Sequence, residues 1–291
     1  MRTAVLGAGK MGVWFAKWCK EKGDTVVLAD RNPQKLAKLK KELGVETADF
    51  PTAVRGADRV LICVSISSFE EIVKKIASAV IKGQPVMDIS SIKEYPVNVM
   101  HKYLKDALVL GTHPVFGPGS HGVRNKAYVL TPTNPEEEVY AKEFQRWLEK
   151  EEAHVFIMTP QKHDELMSLI LGFPHFLGLA ACETLLAQPE FSESKKLAGT
   201  TYRMLFTLAE SVAQETPDLY AHVQTKLPGL GKMEDLFMAN AQEWRDLMKK
   251  KDTTEIMARM DRLRANLAKV DKDYDKSYET MYKMLESTED S

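Results

Sequence analysis

The chain has 291 residues, 44% of them hydrophobic and 28% charged, with a formal net charge of −1. That length suits one large or two ordinary domains with a real buried core. The balanced charge offers no basic surplus for nucleic acid, and apolar runs such as Val60-Leu61-Ile62-Cys63-Val64 are too short to span a bilayer. No charged segment followed by an apolar one opens the chain as a leader would. The three cysteines, Cys19, Cys63 and Cys182, are far apart in apolar segments. They read as free thiols of a reducing, cytoplasmic compartment.

In chain order, the first half alternates short apolar runs with helical patterns. Strands are expected over 3–6, 25–29, 59–64, 85–89, 107–110, 127–131 and 154–158, and helices over 12–22, 33–43, 69–80 and 135–150. Continuous apolar strands suit a sheet covered on both faces. Alternating strand and helix predicts a Rossmann-type α/β fold, a doubly wound and mostly parallel sheet. Beyond residue 159 the strand signals stop. Helices are expected over 162–186 (with Pro174 interrupting it), 204–212, 219–225, 235–249 and 253–285. The last shows apolar residues three and four apart, an amphipathic face that needs a partner surface. The division is a dinucleotide-binding domain over 1–158 and an all-α dimerisation domain over 159–291, with a frayed tail from Ser287.

The run V-L-G-A-G-K-M-G places Gly7, Gly9 and Gly12 as G-x-G-x-x-G between a strand and a helix. In that context Gly7 makes the tight turn, Gly9 admits a pyrophosphate and Gly12 lets helix and strand close up. Lys10 and Met11 open the helix, whose N-terminus favours phosphate. Asp30, at the end of the second strand, is placed for the adenosine ribose hydroxyls and favours NAD. Arg31 beside it would suit NADP.

A nicotinamide ring lies beyond the C-terminal strand ends. Those ends offer Val64-Ser65, Ser90-Ser91 with Lys93, and Gly111-Thr112-His113-Pro114. The strand before His113 is read as ending at Leu110, with Gly111–Ser120 as loop. A hydroxyl losing hydride must also lose its proton, and a neutral imidazole is the usual acceptor near neutral pH. His113 therefore reads either as that base or as a histidine closing a strand end. No histidine pair has metal spacing with a carboxylate, so no metal is expected.

D-I-S-S-I-K (88–93) followed by L-G-T-H-P-V-F-G-P (110–118) resembles the prephenate dehydrogenase family of tyrosine biosynthesis, which includes arogenate dehydrogenases. His163-Asp164, Pro174-His175-Phe176, Tyr202-Arg203 and A-Q-E-T-P-D-L-Y-A (213–221) match in order, so the likeness covers residues 3 to about 223. It implies NAD(P)-dependent oxidative decarboxylation of prephenate to 4-hydroxyphenylpyruvate. Hydride leaves the carbinol carbon, carbon dioxide departs and the ring becomes aromatic. It further implies that His113 helps remove the ring hydroxyl proton. Ser91 would orient His113 or that hydroxyl, and His175 would face the substrate from the helical domain. Among substrate-binding candidates, Lys93 would assist near the nicotinamide or the loop, and His163 would be structural or lie at the edge of the site. The expected assembly is a cytoplasmic homodimer acting on a small molecule, without nucleic acid or membrane.

One position departs from the family pattern. A carboxylate-binding arginine stands six residues before the proline of the A-Q…P run, but here that residue is Ser211, or Glu210 if the frame shifts. Arg203, two helical turns earlier on nearly the same face, is the candidate replacement. Two other readings compete with this one. The same layout serves β-hydroxyacid dehydrogenases and imine reductases, whose catalytic lysine or aspartate sits on the first interdomain helix. A non-catalytic dinucleotide sensor would keep the glycine turn alone.

Overall fold

The computed structural model describes residues 1–287. The frayed end expected over 287–291 therefore lies, apart from Ser287, outside the described residues. Two compact units are present, and they do not follow a single cut. The first comprises Met1–Ser168 and Pro217–Pro228, and the second Leu169–Thr216 and Gly229–Ser291.

Among the described residues, the first unit holds one eight-stranded sheet in the order β3-β2-β1-β4-β5-β6-β7-β8. The strands are β1 (Arg2–Leu6), β2 (Thr25–Ala29), β3 (Glu46–Ala48), β4 (Arg59–Ile62), β5 (Pro85–Asp88), β6 (Leu108–Pro114), β7 (Ala127–Thr131) and β8 (His154–Ile157). Every pairing is parallel except β6 with β7. The helices between them are α1 (Lys10–Glu21), α2 (Pro33–Leu43), α3 (Phe50–Val54), α4 (Ile66–Ile76), α5 (Glu94–Tyr103) and α6 (Pro135–Lys150). Side chains alternate across the sheet. Ala4 and Leu6 of β1 join one core with Val60, Ile62 and Val86, while Val5 joins the other with Leu28, Leu61 and Met87. This is the predicted doubly wound architecture, with the C-terminal ends of β1 to β6 gathered on one edge and β7 and β8 running the other way.

Three local expectations need correction. First, β6 does not end at Leu110: Gly111 to Pro114 continue it, paired antiparallel with Thr131 to Tyr128 of β7. Gly111 permits this, because a Cβ there would stand 2.6 Å from the Val97 side chain of α5. Second, α7 (Pro160–Met167) and α11 (Pro217–Lys226) belong to the first unit, so His163 does not open the helical one. The Ser168 hydroxyl donates to the carbonyls of Asp164 and Pro228, and the Lys226 ammonium lies 4.5 Å above the Tyr95 ring. Third, the single helix expected over 253–285 is two, α13 (Thr253–Val270) and α14 (Ser277–Glu286).

The second unit also contains α8 (Phe173–Leu186), α9 (Phe191–Ser194), α10 (Thr200–Ala213) and α12 (Leu230–Lys250). One turn of π-helix, Ser168–Gly172, joins α7 to α8. Helices α8 and α10 close on each other at Gly178, where a Cβ would stand 2.7 Å from Val212 Cγ2. Within the 27-residue helical run Pro160–Leu186 one 18-residue window reaches a mean hydropathy of 1.6, long and apolar enough to cross a membrane, contrary to the expectation that every apolar run is too short. Leu179, Leu186, Leu205, Leu208, Leu236 and Met238 are exposed on the second unit.

Candidate active site

The turn from β1 to α1 is built by its glycines. Gly7 has φ 108°, and a Cβ on it would stand 2.5 Å from the Cys63 carbonyl oxygen and 3.0 Å from Val64. A Cβ on Gly12 would collide with the Gly7 carbonyl oxygen. Gly9 faces open space and caps α1 without a side-chain hydrogen bond. Among the described residues no side chain caps the start of α1, which is the arrangement an anion uses. Asp30 is held at the same place: its carboxylate accepts from the Ala8 N–H at 2.7 Å and the Asn32 N–H at 2.9 Å. Lys10, Arg31 and Ser65 are exposed, while Met11 and Val64 are half-buried. Ser65 spends its hydroxyl on Ser67 and Ser68 at the start of α4. These residues fit a dinucleotide, whose pyrophosphate Gly9 and the start of α1 would hold and whose ribose Asp30 would hold.

The second feature is a chain of three side chains. His113 Nδ1 lies 2.8 Å from His163 Nε2, and His163 Nδ1 lies 2.7 Å from Asp164 Oδ1. Asp164 is fixed at the N-terminus of α5, its two oxygens accepting from the N–H groups of Lys93 (2.7 Å) and Glu94 (3.0 Å). Among the described residues His113 Nε2 makes no hydrogen bond. Burial, then the neighbouring His163 and Lys93, holds His113 well below its ordinary pKa. Burial also lowers His163, opposed by its bond to Asp164. Both rings are therefore neutral at physiological pH.

The other expected residues fall in different places. Ser91 is half-buried in the turn after β5 and makes no hydrogen bond to His113 among the described residues, because His163 takes the Nδ1 position. Lys93 is fully buried. Its ammonium donates to Asp88 Oδ2 and to the Thr112 carbonyl, each at 2.5 Å. Burial lowers its pKa, and Asp88 opposes the shift. His163, at 0% exposure, touches His113 through its Nε2, a position open to either of its expected roles, structural or at the site edge. His175 on α8 and Arg203 on α10 belong to the second unit. Burial lowers the His175 pKa to about 4. Arg203 lines a cavity of about 260 Å³ with Lys195, Tyr202 and Phe206. Ser211 is exposed and turns its hydroxyl back onto the Leu208 carbonyl.

Asp88 was not expected from sequence. Its carboxylate accepts from the Ser90 and Thr112 N–H groups and the Lys93 ammonium, tying the ends of β5 and β6 together. An acid closing an apolar strand, with a lysine five residues later, was the available signal.

The glycine turn, the acid after β2 and the strand order define the class: a dinucleotide-binding Rossmann unit followed by a helical one. Residues 15–163 match the family described as prephenate dehydrogenase, nucleotide-binding domain, and residues 159–262 match its dimerization domain. The chain belongs to the prephenate dehydrogenase family. A probable arogenate/prephenate dehydrogenase from Methanocaldococcus jannaschii is 32% identical over 84% of this chain and 56% of its own length. A prephenate dehydrogenase from Bacillus subtilis is 25% identical over 67% of this chain and 56% of its own. The chain thus spans little over half the length of these relatives. Among solved structures, A. aeolicus prephenate dehydrogenase in complex with hydroxyphenyl propionate and NAD+ superimposes with a TM-score of 0.76. That match has 21% identity and covers 93% of this chain and 98% of that one.

Proposed function

We propose that the protein oxidises prephenate, with loss of carbon dioxide, to 4-hydroxyphenylpyruvate. The observation that carries this reading is His113, a buried neutral imidazole on the strand-end edge of a dinucleotide fold, with Nδ1 engaged and Nε2 making no hydrogen bond among the described residues. A dinucleotide bound at the glycine turn supplies the hydride acceptor. His113 Nε2 takes the ring hydroxyl proton as hydride leaves the same carbon. Loss of the ring carboxylate then completes the aromatic ring, so the protein mainly positions the substrate and removes one proton. Ser91, half-buried on the neighbouring strand end, contacts the same hydroxyl, and His175 contributes from the helical unit.

Arg203 holds a substrate carboxylate. In support, its cavity carries a second cation, Lys195, and aromatic walls from Tyr202 and Phe206. Replacing Arg203 with Ala is expected to raise the Michaelis constant for prephenate by about 10- to 100-fold, the effect of losing a charged hydrogen bond. An unchanged constant would remove Arg203 from the site.

Asp30 favours NAD over NADP, since a carboxylate at the ribose repels a 2′-phosphate. Arogenate is the second substrate reading, carried by the name of the M. jannaschii relative. A purified-protein assay crossing NAD+ and NADP+ with prephenate and arogenate separates all four combinations. The expected winner is NAD+ with prephenate, and no reduction in any mixture would overturn the proposal. The exposed leucines of the helical unit and its match to a dimerization domain support a homodimer, acting in the cytoplasm on this small molecule.

A further inference from the structure

We propose that Asp164 and His163 form a positioning relay that fixes the tautomer of His113 and shares its proton during turnover; this rests on the reading that His113 is the base. The argument begins at Asp164. Its Oδ1 faces both the Lys93 N–H and His163 Nδ1, and its Oδ2 faces the Glu94 N–H. A carboxylate so placed only accepts, so His163 must carry its hydrogen on Nδ1. A neutral His163 then has a bare Nε2, which can only accept. His113 Nδ1, 2.8 Å away, must therefore be the donor. The consequence is that His113 carries its lone pair on Nε2, the atom without a protein partner.

When His113 Nε2 takes a proton, the ring becomes a buried cation. Its Nδ1 hydrogen can pass to His163 Nε2 as the His113 Nδ1–H bond breaks, moving the charge next to the Asp164 carboxylate. The carboxylate stays unprotonated, and the proton later returns along the same bond and leaves from Nε2. Besides the relay itself, the charged group acting on His113 among the described residues is Lys93, from the turn after β5, and Asp88 of β5 pairs with it. They neutralise each other at 2.5 Å. From β7 the residue opposite is Val129, which contributes no charge. Asp164 is thus the negative partner left for the new cation. Sequence alone shows the His163-Asp164 pair but not that α7 brings it under β6.

Two measurements test this. In ¹⁵N-histidine spectra of the unmodified protein at pH 8, both rings are expected with a protonated Nδ1 and a bare Nε2. His113→Asn and His163→Gln assign the signals. A protonated Nε2 on His113 would overturn the relay whether or not the protein turns over prephenate. In kinetics, Asp164→Asn keeps the oxygen facing His163 and removes the charge. It is expected to lower kcat at least 10-fold, with the Michaelis constant within 3-fold. Because Asp164 favours the protonated relay, its loss weakens the base, and the acid limb of kcat/KM moves to lower pH. His163→Gln, whose amide oxygen still accepts from His113, should retain more activity than His163→Leu. If Asp164→Asn loses rate with the acid limb in place, or keeps its rate, the relay is wrong. No activity in the unmodified protein would instead refute the proposed reaction, and the spectra would then decide the relay alone.

Discussion

A His113→Asn variant is expected to lose about 10²- to 10⁴-fold in kcat, the usual contribution of a positioned base, while dinucleotide binding stays within 2-fold. The reason is chemical rather than steric. Asn can occupy the position, and its amide can still donate toward His163, but no atom accepts a proton as a free imidazole Nε2 does. The dinucleotide site is separate in the sequence and in the sheet. Its proposed residues, Gly7, Gly9, Gly12 and Asp30, lie at β1 and β2, whereas His113 is on β6. The pH profile gives a second reading. Since His113 sits well below its ordinary pKa, its neutral, active form should persist below pH 6.5, and the acid limb of kcat/KM in the unmodified enzyme should fall there. Retention of near-normal turnover by His113→Asn would remove the base from the mechanism.

The second large effect is expected at Gly12. In Gly12→Ala the new methyl would overlap the Gly7 carbonyl oxygen, a backbone atom held in the turn by the Gly7 N–H bond to Ala29 at 2.7 Å. Relief requires α1 to lift from β1, which moves the amides that would hold the pyrophosphate. Overpacking of this kind costs about 1–3 kcal/mol, so the thermal midpoint should drop by several degrees and the Kd for NAD+ should rise about 10- to 100-fold. Gly9→Ala is the control, because a Cβ there meets nothing within 4 Å. It should leave the midpoint unchanged and weaken NAD+ alone, since its methyl enters only the ligand's space. If Gly12→Ala matches the parent in both measurements, the turn does not hold the dinucleotide.

The parts of the molecule visible in sequence are those set by local chemistry. The glycine spacing, the apolar strands and Asp30 are contiguous signals, and they placed β1, α1 and β2 within a residue or two. Elements without such signals were missed. Strand β3 is three residues of mixed polarity at the sheet edge, and α5 carries Pro96 in its first turn, where a proline is tolerated but reads as a breaker. The end of β6 was read as loop because Gly111, His113 and Pro114 are poor strand formers. Pairing with β7 overrides that preference. The site divides in the same way. His113 follows from topology, but the roles of Lys93, His163 and Asp164 depend on α7 meeting the start of α5, about seventy residues earlier in the chain.

That meeting point has a consequence for how the site can be watched. The amides of Lys93 and Glu94 stand at the exposed end of a helix ladder, where N–H groups ordinarily trade with solvent deuterium within moments. Here both are covered by one distant carboxylate. Their exchange therefore times the lifting of α7 from α5, and the two protons should be lost together, at the rate at which His113 loses its support.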